Sequence, residues 1–313
     1  MRTLRVGTSG LAVSSLGLGT FDWGYSVTAG TAQNLLDTYR QAGGSLVEFP
    51  RHNHRALDVF SSLTDTENLT LCARIGTSQA RIGSTSTGGG TAISHETMLS
   101  RGEVLKQTHA LLRRLSRSHI DVVILDGFDA ATPLEETASA LDTLLRMGDI
   151  TYVAAADHTG WQLACLRAAD IPVVASFTEY SLICRHAEAE VFPAAEYLGI
   201  GIVAGAVLGR GVLSGQYEAG TPRTSRAATH AHEWVSTYLT PEYEHMMAGI
   251  IKAAESLEAT PIDIALAWSN HDKVSARLVS PRTVEQLQRV LASSLELAPE
   301  IKDVLNQITE SAR

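Results

Sequence analysis

The chain has 313 residues, of which 44% are hydrophobic, and a formal net charge of −9 at pH 7. This length and composition suffice for one full-sized core, so we expect a single domain over residues 1–313. The acidic balance argues against nucleic acids and anionic membranes as partners, because both attract basic surfaces, and it leaves a small molecule as the expected substrate.

Nothing in the sequence predicts export or a membrane anchor. The first residues do not combine a basic stretch with an apolar run, and no window approaches the roughly 18 apolar residues of a membrane span. We therefore expect a cytoplasmic protein. Arginine outnumbers lysine by 21 to 4, a composition typical of GC-rich bacteria.

The segment 2–13 places Gly7 and Gly10 between apolar residues, which predicts a β-hairpin. After it, short apolar runs alternate with amphipathic stretches, and continuous apolar runs are typical of strands that are covered on both faces. The predicted strands are 15–20, 45–49, 69–75, 120–128, 150–157, 173–180, 201–208 and 276–281. The predicted helices are 32–41, 55–63, 101–117, 134–147, 160–169, 188–198, 241–257 and 284–291.

Eight strands, each followed by a helix, predict an α/β fold, a (β/α)8 TIM barrel whose bottom is closed by the N-terminal hairpin. Extra helices are expected near 260–269 and 300–311. The long segments 76–100 and 209–240 follow the third and seventh strands, on the face where barrel enzymes place their sites. Each is expected to be a loop without regular structure, acting as a lid or disordered.

Four stretches resemble motifs of one enzyme family. They are RVGTSGLAVSSLGLGT at 5–20, LLRRLSRSHID at 111–121, TEYSL at 178–182 and AGAVLGRGVLSGQY at 204–217. Together they resemble the aldo-keto reductases over essentially the whole chain. The resemblance implies the barrel fold and an activity in which a tyrosine gives a proton to a carbonyl oxygen while NADPH gives hydride.

The catalytic residues of that family match different residue types here. The family's tetrad of Asp, Tyr, Lys and His, at the ends of strands two to four, corresponds to Glu48, Asn53, Arg74 and Asp126. The residues that contact its nicotinamide correspond to Ala156, Asp157, Phe177 and Gly205. Gly205 stands where an aromatic side chain stacks on the nicotinamide ring, so we expect NADPH to bind weakly, at best through its phosphates.

The cofactor expectation therefore has two parts. The first expectation is that no cofactor is used. The alternative is NADPH, for which the resemblance implies Thr20, Arg210 and Arg282 as the residues that bind it. Retained barrel architecture is another explanation for the same three residues.

Several groups in the predicted mouth are candidates for acid–base chemistry. Asp126 is a candidate base, or an acid if burial raises its pKa, and His52 and His54 titrate near neutral pH. Arg74 keeps its charge and is a candidate for steadying an oxyanion. Glu48 is expected to pair directly with Arg74 through two hydrogen bonds, which can equally be a purely structural ion pair.

Each of these candidates also has a simpler interpretation. The two histidines can be solvated surface residues of a loop. Glu48, His52, His54 and Asp126 are suitable metal ligands, but Arg74 among them opposes a cation, so no metal is expected.

Three hypotheses of function follow. The first is a barrel repurposed for non-redox acid–base chemistry, such as a dehydratase, cyclase or isomerase acting on a small carbonyl or hydroxyl compound, in bacterial secondary metabolism. The second is an NADPH-dependent oxidoreductase with an atypical proton donor. The third is a non-catalytic binding or regulatory subunit. Because fold does not fix chemistry, the substrate cannot be identified from the sequence.

Overall fold

The computed structural model describes residues 1–50, 53–76, 98–229 and 231–312. It begins with a hairpin in which β1 (Thr3–Arg5) pairs antiparallel with β2 (Ala12–Ser14). Gly7 lies in its turn with φ +55°, and a side chain there would overlap the Gly199 carbonyl oxygen. Only glycine therefore allows the hairpin to pack this closely against the barrel.

The predicted TIM barrel is confirmed. Its strands are β3 (Leu16–Gly19), β4 (Leu46–Phe49), β5 (Thr70–Gly76), β6 (Ile120–Asp126), β7 (Ile150–Ala156), β8 (Val173–Glu179), β9 (Gly201–Gly205) and β10 (Val274–Val279). They are parallel and close in the order β10, β3, β4, β5, β6, β7, β8, β9. Strand β9 ends earlier than predicted because Ala206 takes a positive φ of 49°, which turns the chain out of the sheet.

Helices surround the barrel, and several begin at the side-chain caps that their sequences predict. Thr28 caps the first helix by accepting from the Thr31 amide, and Thr260 forms a reciprocal capping box with Asp263. The helices are α1 (Ala29–Gln41), α2 (His54–Ser61), α3 (Arg101–Leu115), α4 (Leu134–Met147), α5 (Gly160–Ala168), α6 (Val191–Leu198), α7 (His232–Ser236), α8 (Pro241–Ser256), α9 (Pro261–Trp268), α10 (Val284–Ala292) and α11 (Pro299–Ile308). In the described ranges, none of them has both the length and the apolar character needed to span a membrane.

The core has two layers, as the continuous apolar strands predict. Alternate residues of the strands, such as Val122, Ile124 and Ala154, fill the barrel interior together with Phe177. The residues between them pack outward on the helices. This packing fixes the strand ends, and the side chains that follow them are held in place around the mouth.

The segment 209–240 was expected to be a loop without regular structure, and this expectation is wrong. It contains 3-10 helices at Gly209–Ser214 and Arg226–Ala228, followed by α7. These turns depend on contacts with distant parts of the chain, which sequence periodicity cannot show. Most of the other expected loop, 76–100, lies outside the described residues.

Candidate active site

The candidate active site is a cavity of about 580 Å³ at the C-terminal ends of the barrel strands. All parallel strands end on this face, which is why barrel enzymes build their sites there. The apolar part of its lining comes mainly from Phe21, Tyr25, Phe177, Val207, Leu208 and Trp234.

An ion-pair cluster forms the inner end of the cavity, where one guanidinium contacts three carboxyl groups. The Arg74 Nε atom lies 2.7 Å from Glu48 Oε1, and Arg74 Nη1 lies 2.9 Å from Asp126 Oδ1. The same Nη1 lies 3.6 Å from Asp157 Oδ2. These four residues are named the Arg74 cluster below.

The strand register explains why these side chains meet. Glu48 on β4 is paired with Cys72 on β5, and Arg74 follows Cys72 by two residues, so all three share the inward face. Asp126 ends the neighbouring strand β6. The predicted ion pair between Glu48 and Arg74 is present, but it has one hydrogen bond rather than two. Arg74 Nε donates to Glu48, whereas Nη1 donates to Asp126.

Burial and crowding raise the pKa of two carboxyl groups in the cluster. Burial raises the pKa of Glu48, the nearby charges of Asp126 and Asp157 raise it further, and Arg74 opposes them. The pKa of Asp157 is also raised, first by burial in the mouth and then by Asp126 and Glu179. The Asp157 side chain nevertheless stays 47% exposed, so its carboxyl is the member of the cluster that can reach a ligand.

Arg210, predicted as a cofactor residue, lines the cavity as part of a second ion pair. Its Nε donates to Glu179 at 2.9 Å, its Nη1 donates to Thr237 Oγ1 at 3.0 Å and to the Trp234 carbonyl, and its Nη2 donates to the other Glu179 oxygen. The guanidinium also lies over the rings of Trp234 and Tyr238, 4.7 and 4.6 Å from their centroids. In this arrangement Arg210 holds the segment 209–240 in place, and its contact with a cofactor stays a prediction.

The other two predicted cofactor residues lie in different surroundings. Thr20 is buried and donates its hydroxyl hydrogen to the Glu48 carbonyl oxygen at 3.0 Å, and it does not line the cavity. Arg282 lines the outer part of the cavity together with Arg289. Among the described residues, no acidic group forms an ion pair within 4 Å of either guanidinium. These two arginines are available to an anionic ligand.

The two predicted histidines do not add to this site. His52 lies outside the described residues. His54 is exposed at the start of α2 and does not line the cavity, so the geometry gives its catalytic role no support. Asn53 between them is buried, accepts from the Ala56 amide and donates to backbone carbonyls, so it acts as the cap of α2.

A third ion pair ties the segment 209–240 to the opposite side of the mouth. Arg226 Nη2 lies 2.6 Å from Asp22 Oδ2 and also donates to the Ser280 carbonyl oxygen at 3.1 Å. The Arg226 guanidinium lies 5.3 Å from the centroid of the Phe21 ring and 5.9 Å from that of the Trp234 ring, and these two rings stack on each other at 4.8 Å. The three contacts hold the segment over the strand ends.

Sequence reasoning matched Asp157 to a nicotinamide-contacting position but did not select it as an acid–base group, and it did not select the pair of Asp22 and Arg226 at all. Asp157 follows β7 directly, and its position at a strand end was the signal that could have identified it. Asp22 and Arg226 are 204 residues apart, and no local pattern connects them. His158, the next residue after Asp157, is buried and its Nδ1 donates to the Ala156 carbonyl at 2.8 Å.

Comparison with known proteins identifies the family to which the chain belongs. The model of the family described as "Aldo/keto reductase family" matches residues 15–312. The chain belongs to the aldo/keto reductase family. It is 31% identical over 220 residues to "Uncharacterized oxidoreductase YrpG" of Bacillus subtilis, and the match covers 67% of this chain and 64% of that protein.

Two eukaryotic relatives are each 28% identical to the chain. Over 234 residues it is similar to "Putative voltage-gated potassium channel subunit beta" of Schizosaccharomyces pombe, with 71% of this chain and 68% of the relative covered. Over 225 residues it is similar to "Probable voltage-gated potassium channel subunit beta" of Arabidopsis thaliana, with coverages of 68% and 69%. The chain thus spans about two thirds of the length of each of these relatives.

These findings correct the first hypothesis of function. A non-redox dehydratase, cyclase or isomerase is wrong, because the family and the named oxidoreductase relative point to an aldo/keto reductase type of oxidoreductase. The hypothesis gave too much weight to altered side chains and too little to a family match across nearly the whole chain. The described residues contain no group of three or more His, Cys, Asp or Glu side chains that could hold a metal ion.

Proposed function

We propose that this protein is an NADPH-dependent oxidoreductase that transfers hydride between the nicotinamide ring and the carbon of a C=O or C=N bond in a small molecule. The observation that carries the proposal is the cavity, which has the carboxyl groups of the Arg74 cluster at its inner end and unpaired arginines at its outer end. Its position at the strand ends of an aldo/keto reductase barrel supports the assignment.

Gly205 lacks the aromatic side chain on which the nicotinamide ring would stack, but the cavity has room for the cofactor. A Cβ built on Gly205 would meet nothing closer than the Thr178 carbonyl oxygen at 3.5 Å, so a flat ring has room against the end of β9. Arg282 and Arg289 would hold the phosphates at the outer end, where a guanidinium can bind a phosphate through two hydrogen bonds. When bound, the cofactor supplies the hydride.

The chain's own contribution is the proton that accompanies the hydride. Burial and the neighbouring carboxylates raise the pKa of Glu48 and of Asp157, while Arg74 opposes the rise, so these two carboxyl groups release a proton at a higher pH than free ones. Arg74 stays charged and orients Glu48 and Asp126 through its hydrogen bonds. Asp157, the exposed member, is the carboxyl that donates the proton to the substrate oxygen or nitrogen.

The test is NADPH oxidation followed at 340 nm with a panel of aldehydes, ketones and imines. Wild-type protein is expected to oxidise NADPH with at least one of these compounds. Asp157→Asn is expected to lower kcat by about 10²–10⁴-fold, the usual contribution of a general acid. Glu67→Gln is the matched control, because it removes an exposed carboxylate just before β5, at the opposite end of the barrel.

Two results would overturn the proposal. One is the absence of both NADPH binding and NADPH oxidation with the whole panel. The other, which concerns the proton donor alone, is an Asp157→Asn variant that keeps full activity. Binding of NADPH without any turnover would instead favour the hypothesis of a regulatory subunit, which the names of the two channel-subunit relatives raise.

A further inference from the structure

The charges that line the cavity are distributed unevenly. In the Arg74 cluster, Glu48, Asp126 and Asp157 face a single guanidinium, whereas Glu179 is matched by Arg210. Even with one proton bound, three carboxyl groups and one guanidinium leave an excess of negative charge. The inner end of the cavity is therefore complementary to a cation.

This charge is unfavourable for the reduction of a neutral carbonyl. Hydride addition to C=O creates an oxyanion, and here that charge would develop beside carboxylates. Among the described residues, three donors at this end of the cavity are already engaged. Asn53 Nδ2 donates to the carbonyl oxygens of Phe21 and Trp23 at 3.0 and 2.7 Å, and Arg74 Nε and Nη1 bind the carboxyl groups of the cluster.

The same charge is favourable for a C=N bond. An imine nitrogen is a far stronger base than a carbonyl oxygen, so it can take a proton from a carboxylic acid before hydride arrives. The protonated imine, an iminium ion, is a cation that the cluster attracts. A carboxyl donor at Asp157 suits this nitrogen better than it suits a carbonyl oxygen.

From these observations we infer that the bond reduced in this cavity is the C=N bond of an imine, bound as its iminium ion, rather than a C=O bond. The inference rests on the proposed function and specifies its substrate class. Imines of small amines, cyclic or open, are the compounds that present this group.

The reactants are the imine, NADPH and one proton, which Asp157 takes back from solvent water after each turnover. A proton passes from Asp157 to the imine nitrogen and leaves a carboxylate beside the iminium ion. Hydride adds to the iminium carbon, the new C–H bond forms, and the π pair of the C=N bond moves to nitrogen to give a neutral amine. The two electrons come from the reduced nicotinamide, which is oxidised to its cationic form. One positive charge therefore remains near the cluster before and after the transfer.

Three two-ring compounds of similar shape test the inference through activity. They are 3,4-dihydroisoquinoline, a neutral imine, the N-methyl-3,4-dihydroisoquinolinium ion, a permanent cation, and 1-tetralone, a ketone. Wild-type protein is expected to show a kcat/KM at least tenfold higher for both nitrogen compounds than for the ketone. Asp157→Asn is expected to lose activity on the neutral imine more than on the permanent cation, because only the imine needs a proton.

Binding gives a second readout that needs no turnover. Calorimetry is expected to show that the unreactive N,N-dimethyl-tetrahydroisoquinolinium ion binds the NADPH-loaded protein at least tenfold more tightly than 1-tetralone, a difference of about 1.4 kcal/mol. This preference should shrink in Asp157→Asn and persist in Glu67→Gln, which removes the same charge far from the cavity.

The outcomes separate the inference from the proposed function. Reduction of 1-tetralone as efficiently as the nitrogen compounds, or equal binding of cation and ketone, would overturn the preference for C=N and leave the oxidoreductase standing. Failure of all three compounds and of every other member of the carbonyl and imine panel, together with no NADPH binding, would overturn both.

Discussion

Among single residues, Arg74 has the largest effect on the electrostatics of the site. Its guanidinium is the cation that Glu48, Asp126 and Asp157 share, and its side chain is only 20% exposed. Arg74→Met would leave three carboxyl groups without compensation. We expect a loss of stability that approaches the about 3–5 kcal/mol of a broken buried pair, reduced by the remaining exposure and by proton uptake.

A double-mutant cycle in urea measures this coupling. Because the cluster holds an excess of carboxylates, Glu48→Gln alone should cost little. Combined with Arg74→Met, it should restore part of the lost free energy of unfolding, since one uncompensated carboxylate is removed. Strictly additive effects of the two substitutions would show that Glu48 and Arg74 are not coupled.

His158 gives a second prediction, which concerns pH. Burial lowers the pKa of its imidazole in the folded protein, so as the pH falls the unfolded chain binds a proton more readily than the folded one. Its contribution to stability is therefore complete above the ordinary value of about 6.5 and is lost as the pH drops below it. Acidification should therefore lower the Tm of the wild type, and His158→Phe should remove the part of this decrease that the imidazole causes.

Thermal unfolding of wild type and variant at a series of pH values tests the prediction. The raised pKa values of Glu48 and Asp157 act in the opposite direction, since their contribution is lost as the pH rises. The informative quantity is therefore the difference in Tm between wild type and His158→Phe. That difference should narrow on acidification, and an exposed control, His245→Gln, should show no such narrowing. A constant difference would exclude a neutral, buried His158.

At the scale of secondary-structure elements, the end of β5 is fixed by a glycine. Gly76 has φ +132°, and a Cβ there would lie 2.8 Å from the Asp126 carbonyl oxygen. Gly76→Ala should therefore cost roughly 1–3 kcal/mol or more, because it combines backbone strain with a clash against β6. Gly102→Ala is the control, since its Cβ would meet nothing within 4 Å and alanine favours the helix α3.

Urea unfolding of the two variants tests this asymmetry. Gly76→Ala should be clearly less stable than wild type, and Gly102→Ala equal or slightly more stable. If both alanines behaved alike, the close approach of β5 and β6 at Asp126 would not be a constraint on the fold.

The strands were predictable from the sequence because both of their faces are buried, which gives continuous apolar runs. Continuous apolar runs such as the one that became β6 (Ile120–Asp126) contain enough information in their own sequence. The turns of 209–240 do not, because their conformation depends on contacts such as Arg226 with Asp22, between residues far apart in sequence. Asp157 was missed as an acid–base group for another reason, because the family resemblance assigned its position to cofactor binding.

At the scale of the whole molecule, the functional conclusion depends on two observations, the family match of the barrel and the altered side chains of its site. Glu48, Arg74 and Asp126 were matched to the family's catalytic positions by sequence, and the barrel brings these three together in one cluster. The inference from altered side chains to non-redox chemistry failed, because the family match spans residues 15–312. The proposed function therefore keeps hydride transfer and changes the proton donor.

The central claim, that the cavity binds NADPH, is tested most directly by isothermal titration calorimetry. The altered nicotinamide contacts predicted weak binding, whereas the proposed function requires wild-type protein to bind one NADPH with a Kd on the order of micromolar. Arg282→Gln and Arg289→Gln should each weaken binding several-fold or more, whereas Arg223→Gln, at an exposed arginine that does not line the cavity, should not. Wild-type protein that shows no saturable heat up to millimolar NADPH would contradict the account.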